Sequence, residues 1–280
     1  MCKVYLVCIA KMENLYIREF VEHYKALNVD KIILYDNNDN EGLDVEYFEE
    51  VINDYIQSGF VQLMDVRGIN PPIKCGMYLQ AYSYLDAYNR FSNECDWICY
   101  FDADEFLTLD EKYNNDIKNF LSDEIFNDFE AIKIPWRVFD DNGLIYYDKR
   151  PLKVRFTHAS DYNEMQVKTI ARTKKKVSYI NVHGKATPDF KSCNTLGLPC
   201  YYVMRRSGCY INNVCQNNAY LAHYRFKTIQ EYMSNKRKRG YPLLSGFKRF
   251  KKYNDDFFFL YNERTPEKEA FIKSYGTYTY

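Results

Sequence analysis

The sequence predicts an α/β fold: a mostly parallel central sheet flanked by helices, then a smaller antiparallel region and a helical C-terminal tail. Two observations carry that prediction. Short apolar runs alternate with helix-period segments through the first hundred residues, the pattern of strands joined by helical crossovers. One of those runs, Trp97-Ile98-Cys99-Tyr100-Phe101, drives directly into Asp102-Ala103-Asp104-Glu105. In parallel sheets, ligands bind beyond the carboxyl ends of the strands.

Taken in order, residues 4–9 read as a first buried strand. The run is too short to cross a membrane and lacks the cleavage site of a signal peptide. Residues 14–27 read as an amphipathic helix, with Leu15, Ile17, Phe20, Val21, Tyr24 and Leu27 on or near one face. Residues 31–35 form a second strand, closed by the polar group Asp36 to Asn40. A helix is expected over 43–58, ended by Gly59, then a strand over 60–66, a helix over 75–91 and the strand into Asp102. In the second half, strands are expected over 131–139, 154–158, 167–172 and 177–182, with a turn at Asp140-Asp141-Asn142-Gly143. Residues 184–219 read as loops, and 228–238 as a helix stopped by Gly240. No internal repeat or long linker interrupts the chain.

Composition narrows the partners. Lys+Arg and Asp+Glu balance at 38 each, so no global field favours nucleic acid, and none is expected as a partner. The 28 tyrosines and 19 phenylalanines are rings of the kind that stack on sugars and bases, or a plain compositional bias. Nine cysteines form no Cys-x-x-Cys pair, and no Asn-x-Ser/Thr acceptor occurs. Together these point to a reducing, cytoplasmic setting. Cys193, Cys200, Cys209 and Cys215 crowd a turn-rich stretch, but their spacing matches no familiar zinc pattern.

The acids after the fourth strand are the sharpest chemical signal. Asp102 and Asp104 are two apart, so an extended chain projects both carboxylates to one side. That spacing suits a hard divalent ion that also holds nucleotide phosphates. The bland alternative is a solvated acidic turn; if buried, the acids need a cation, a metal or an open cleft. Ala10, Lys11 and Glu13 follow the first strand, and Asp36 and Asn37 end the second. With Asp102 and Ala103 they bring three polar groups to one sheet edge, where a nucleotide donor would rest. Asp36 would accept from a base N–H or a ribose hydroxyl, although it reads equally as an Asx turn. His183 and His223 have suggestive settings, and His223 would return late in the chain to complete a metal shell. A buried structural imidazole is the commoner outcome. Residues 225–252 hold ten basic residues against the single acid Glu231. Such a run is usually a solvated face; its functional options are stabilising a diphosphate, with Lys227 the candidate, or peripheral docking on anionic lipid.

Several ordered segments resemble glycosyltransferase family 92 and related family 2-like enzymes. They are Ala10-Lys11-Met12-Glu13-Asn14, Ile17 through Tyr24, Tyr35-Asp36-Asn37-Asn38, Asp96-Trp97-Ile98 with Phe101-Asp102-Ala103-Asp104-Glu105-Phe106, and Trp136-Arg137-Val138-Phe139-Asp140-Asp141-Asn142-Gly143. The series closes with His223-Tyr224-Arg225-Phe226-Lys227-Thr228, followed by Glu231, Lys236, Arg239 and Gly240. The resemblance implies a GT-A fold, a nucleoside-diphosphate sugar donor (UDP-linked), Mn²⁺ or Mg²⁺, and inversion at the anomeric carbon. Galactosyl transfer is associated with some members. Asp102 and Asp104 would face the metal, joined by His223. Residues 1–240 would form one catalytic domain, with 1–110 the nucleotide-sugar half and 111–240 the acceptor half; 241–280 would be a basic, aromatic extension. The acceptor would be a glycan or a lipid-linked sugar in polysaccharide biosynthesis, met in the cytoplasm or at the inner face of the membrane. Asp140 stands where the family's segment usually has Gly. The general base stays open among Asp140, Asp141, Asp161, Glu164 and Asp189.

Two other readings compete. A sugar nucleotidyltransferase also uses paired carboxylates and divalent ions, but would usually carry a glycine-rich phosphate loop near the first strand, which Ala10-Lys11-Met12-Glu13 is not. A non-catalytic glycan- or nucleotide-binding module with a degraded site is the third.

Overall fold

The computed structural model describes residues 2–42, 45–69, 78–160, 165–173, 175–183, 190–205, 208–211, 213–239, 241–243, 246–248 and 255–275. The chain divides into two compact units, Met1–Trp136 with Met165–Leu221, and Arg137–Glu164 with Ala222–Tyr280.

The first unit carries β1 (Val4–Ala10), α1 (Ile17–Ala26), β2 (Lys31–Asp36), α2 (Glu49–Gln57), β3 (Val61–Asp65), α3 (Leu79–Phe91), β4 (Trp97–Tyr100), β5 (Glu105–Leu109), α4 (Ile117–Leu121) and most of β6 (Ala131–Val138), whose last two residues are counted with the second. After α5 (Leu152–Arg155), a helix of the second unit, come β7 (Val167–Arg172), β8 (Ser192–Cys193), β9 (Tyr202–Arg205), β10 (Gly208–Ile211) and β11 (Ala219–His223). The main sheet runs β3-β2-β1-β4-β7-β6-β11-β5, with β8 beside β6. Strands β3, β2, β1 and β4 are parallel, whereas β7 is antiparallel to both β4 and β6.

The parallel half follows directly from its residues. Val4 to Val7 and Ile32 to Tyr35 are buried without interruption, as strands covered on both faces must be. Helix α1 buries Ile17, Phe20, Val21 and Tyr24, the i, i+3, i+4, i+7 stripe of a helix lying on a sheet. Helix α3 packs Tyr84, Ala87, Tyr88 and Phe91 into a cluster with Tyr5, Val7, Ile33, Tyr35, Ile98 and Tyr100. Each of the larger aliphatic and Phe side chains among them contributes about 1.5–3 kcal/mol on burial.

The second unit contains α5, then α6 (Ile229–Glu231), a π-helical stretch over Tyr232–Arg237, the hairpin β12 (Tyr241–Leu243) and β13 (Gly246–Lys248), α7 (Asp255–Phe259) and α8 (Pro266–Tyr275). Val138, Phe226, Ile229, Tyr232, Met233, Phe258 and Tyr261 form its core. Thr228 opens α6 with a capping box to Glu231, which satisfies two end-of-helix N–H groups at once.

The fold class is as expected, and five local expectations are corrected. Residues 184–219, expected as loops, carry the short strands β8, β9 and β10, the last two paired antiparallel. Residues 154–158 are not a strand: Leu152–Arg155 is a helical turn after Pro151, and Arg155 turns inward to fork onto Glu231 at 2.9 and 3.0 Å. Residues 177–182 form no strand; Val182 is held instead by its carbonyl, which accepts from Thr169 Oγ1 at 2.8 Å. The helix expected over 228–238 changes to π geometry after Glu231. The one expected over 43–58 starts at Glu49. Among the described residues, no helix is long and apolar enough to cross a membrane.

Candidate active site

Strand β4 ends at Tyr100, and the chain turns through Asp102 to Glu105 into β5. The turn is closed from both sides. Glu105 N–H donates to the Asp102 carbonyl at 3.0 Å, and Asp102 N–H donates to Glu105 Oε2 at 3.0 Å. The phenol of Tyr24 on α1 braces the outgoing strand, donating to the Glu105 carbonyl at 2.8 Å and accepting from Leu107 N–H at 3.1 Å. Ala103, Asp104 and Glu105 are all buried. A carboxylate oxygen of Asp104 and one of Glu105 lie within 4.8 Å of each other.

A cation not anticipated from the sequence sits among these acids. Lys168, wholly buried on β7, places Nζ 2.7 Å from Asp102 Oδ2 and 3.5 Å from Glu105 Oε1. The other oxygen of Asp102 accepts from Gln80 Nε2 at 2.8 Å and Tyr84 OH at 3.2 Å, both on α3. Burial works to raise the Asp102 carboxyl, but the Lys168 ammonium outweighs it, and the group sits below its ordinary value. Glu105 goes the other way: burial dominates and pushes it well above the usual carboxylate range. His183 donates through Nδ1–H to the Val167 carbonyl at 3.1 Å and meets the Trp136 ring edge-on. Burial, aided by Lys168, drives its imidazole down to about 3, so it is neutral at pH 7.

The neighbouring strand ends supply the other expected groups. Ala10 closes β1 and pairs in register with Asp36, the last residue of β2. Asn37 N–H donates to the Ala10 carbonyl at 3.0 Å. Asp36 is buried, accepts from Asn38 N–H at 2.9 Å, and is held by Arg67 through Nε at 2.9 Å and through Nη2. Arg67 in turn lies over the Tyr47 ring. Lys11 pairs with Asp39 at 2.6 Å, and the buried Glu13 accepts from Tyr16 and Ile17 N–H through its carbonyl, starting α1.

In the second unit, Asp140 accepts from His158 Nδ1 at 2.5 Å and from Asn142 N–H at 2.9 Å. Asp141 is buried and paired with Lys268 at 2.6 Å. Both acids line a cavity of about 610 Å³ with His158, Ser160, Tyr261 and Asn262. Asp161, Glu164 and Asp189 lie outside the described residues. His223 ends β11, buried, its carbonyl accepting from Phe139 N–H at 3.1 Å. Lys227 is buried at positive φ. Arg225, Lys227 and Lys236 are all buried, so the start of the basic run is interior rather than a solvated face. Cys193, Cys200 and Cys215 are free thiols; the side chain of Cys209 is outside those described.

Carboxylates are thus gathered at the carboxyl end of a central parallel strand, the edge at which α/β sheets generally receive ligands. The model of glycosyltransferase family 92 matches residues 3–257, and the chain belongs to that family. A search of curated protein sequences found no match. Among solved structures, the chain is similar to TarS 1–349 of S. aureus in complex with UDP-GlcNAc, at 12% identity and TM-score 0.37, covering 61% of this chain and 45% of that one. It is also similar to the mannosyltransferase PcManGT from Pyrobaculum calidifontis in complex with GDP-Man and Mn²⁺, at 10% identity and TM-score 0.35, covering 49% and 36%. The galactosyltransferase LgtC with donor and acceptor sugar analogues gives 13% and 0.27, covering 47% and 46%. The chain thus spans less than half the length of each. These likenesses are too distant to carry the chemistry of those proteins to this chain.

Proposed function

We propose that the chain is a metal-dependent, inverting GT-A glycosyltransferase moving a hexosyl group from a UDP-sugar to a hydroxyl of a glycan or lipid-linked acceptor. Galactose is the first donor sugar to test. The observation that carries this reading is the carboxylate cluster at the end of β4, set beside the ends of β1 and β2 in the parallel half of one sheet. Oxygen donors of this kind fit Mg²⁺ or Mn²⁺, both hard ions. Asp102 and Asp104 would hold the ion, with His223 as the nitrogen donor implied by the family resemblance. When bound, such an ion neutralises charge on a departing diphosphate.

The protein's own groups divide the remaining work. Asp36 and Asn37, with Ala10, Lys11 and Glu13, offer the edge on which base and ribose rest; Ala103 lets the nucleotide approach closely. Lys227 is assigned to the diphosphate. Of the base candidates within the described residues, Asp140 acting with His158 is our choice, supported by their contact at 2.5 Å. Asp141 is committed to Lys268 on one oxygen and to Gly143 N–H, at 2.9 Å, on the other. A carboxylate fixing one imidazole nitrogen orients the ring to take a proton at the other.

Substitution Asp104→Asn tests the reading. Transfer from UDP-sugar with Mn²⁺ should fall on the order of a hundredfold or more while the circular-dichroism spectrum stays native. Unchanged turnover by that variant removes the metal role.

A further inference from the structure

Lys168 stands where the proposed ion's positive charge is needed. Its strand, β7, runs antiparallel to β4, and their last matched pair is Tyr100 with Thr169. Lys168 is one step further along, beside the acid-bearing turn. It is fully buried, and its ammonium bridges acids on both sides of that turn, Asp102 at 2.7 Å and Glu105 at 3.5 Å. Glu105 also accepts the Asp102 N–H, so one ammonium holds the turn together from inside. A buried lysine with no such partners would be strongly unfavourable, and so would these acids without it.

We infer that Lys168 is a positioning residue, a built-in counter-cation that keeps the Asp102–Glu105 turn folded when no metal is bound. The ion then arrives at a preformed site and does not have to assemble one. This rests on the reading that these acids bind a divalent ion. Asp102 meets Lys168 through Oδ2, and its Oδ1 is oriented by Gln80 and Tyr84. Lys168 therefore acts through the carboxylates it pairs with, Asp102 and Glu105.

The test compares melting of the full chain in EDTA and in Mn²⁺ without nucleotide, for the native protein, Lys168→Met and Lys168→Arg. Lys168→Met should lose on the order of 10 °C in EDTA, the scale set by breaking a buried ion pair. Mn²⁺ should return at least half of that loss while shifting the native protein and Lys168→Arg much less. A purely structural lysine would give the same loss in both buffers, and that result overturns the inference. If Mn²⁺ and UDP together leave even the native protein unmoved, the metal reading fails and takes the inference with it. Should Lys168→Met be recovered unfolded, its refolding yield with and without Mn²⁺ decides the matter: a higher yield with the ion supports the role, and equal yields overturn it.

Discussion

Lys268 on α8 places its ammonium 2.6 Å from Asp141 Oδ2, in the turn that carries two of the expected catalytic acids. Asp141 N–H also donates to Asn262 Oδ1 at 2.8 Å, and Lys268 donates to the Glu263 carbonyl at 2.9 Å. The C-terminal segment thus holds the 140–143 turn with buried polar contacts. Breaking one side of a buried pair leaves an uncompensated charge. Lys268→Met should therefore destabilise the second unit by about 3–5 kcal/mol, read from its urea transition. Pairing it with Asp141→Asn should recover part of the loss. A change below about 1 kcal/mol would show that the turn stands without α8.

Stability should respond to His183. Its imidazole is held down to about 3 by burial, whereas an unfolded histidine titrates near 6.5. Between those values the unfolded chain binds a proton that the native one refuses, so stability is full above the ordinary value and declines as pH falls. The slope from this group is at most about 1.4 kcal/mol per pH unit. His183→Gln should flatten the decline between pH 6.5 and 5 by up to that amount, measured as urea midpoints. An unaltered slope would mean that His183 protonates freely in the folded state.

Gly197 is fixed by close approach. Its φ is +73°, and a Cβ there would lie 2.6 Å from the Ile125 carbonyl oxygen. Gly197→Ala combines a disfavoured backbone with a clash against main chain, and should cost about 1–3 kcal/mol. Thermal unfolding checks it; a neutral substitution would mean that the 194–198 turn relaxes easily.

The orientation of Asp102 should be visible in ligand affinity. Tyr84→Phe removes one hydrogen bond to Oδ1, and Gln80→Ala another. Each loss, worth about 1 kcal/mol, should weaken UDP binding in Mn²⁺ about fivefold with little effect on the fold. Calorimetric titration checks this, and unchanged affinity would place the nucleotide away from Asp102.

The parallel half was readable because residues 4–9, 31–35 and 97–101 are uninterrupted apolar runs between helix-period segments, and burial on both sheet faces requires that. The acids of the turn stood out for the same reason. Lys168 did not, since a lone lysine in Val167–Arg172 reads as an outward-facing strand position. Yet Val167, Ile170 and Ala171 are apolar on both faces, and a lysine in a strand buried on both sides requires a partner. That was the missed signal. Arg155 was misread for a different reason: its partner Glu231 lies 76 residues away, and no local pattern reports such a pairing. His158 was missed because a solvent-facing histidine gains meaning only from the acid it meets.

The Tyr24 phenol has one further consequence. It is wedged into the main chain of β5, so the first helix serves as a buttress for the segment leaving the acids. Repacking that helix, remote from any ligand, would tilt the carboxylates. Redesign for altered donor choice is therefore safer in the loops than on the inward face of α1.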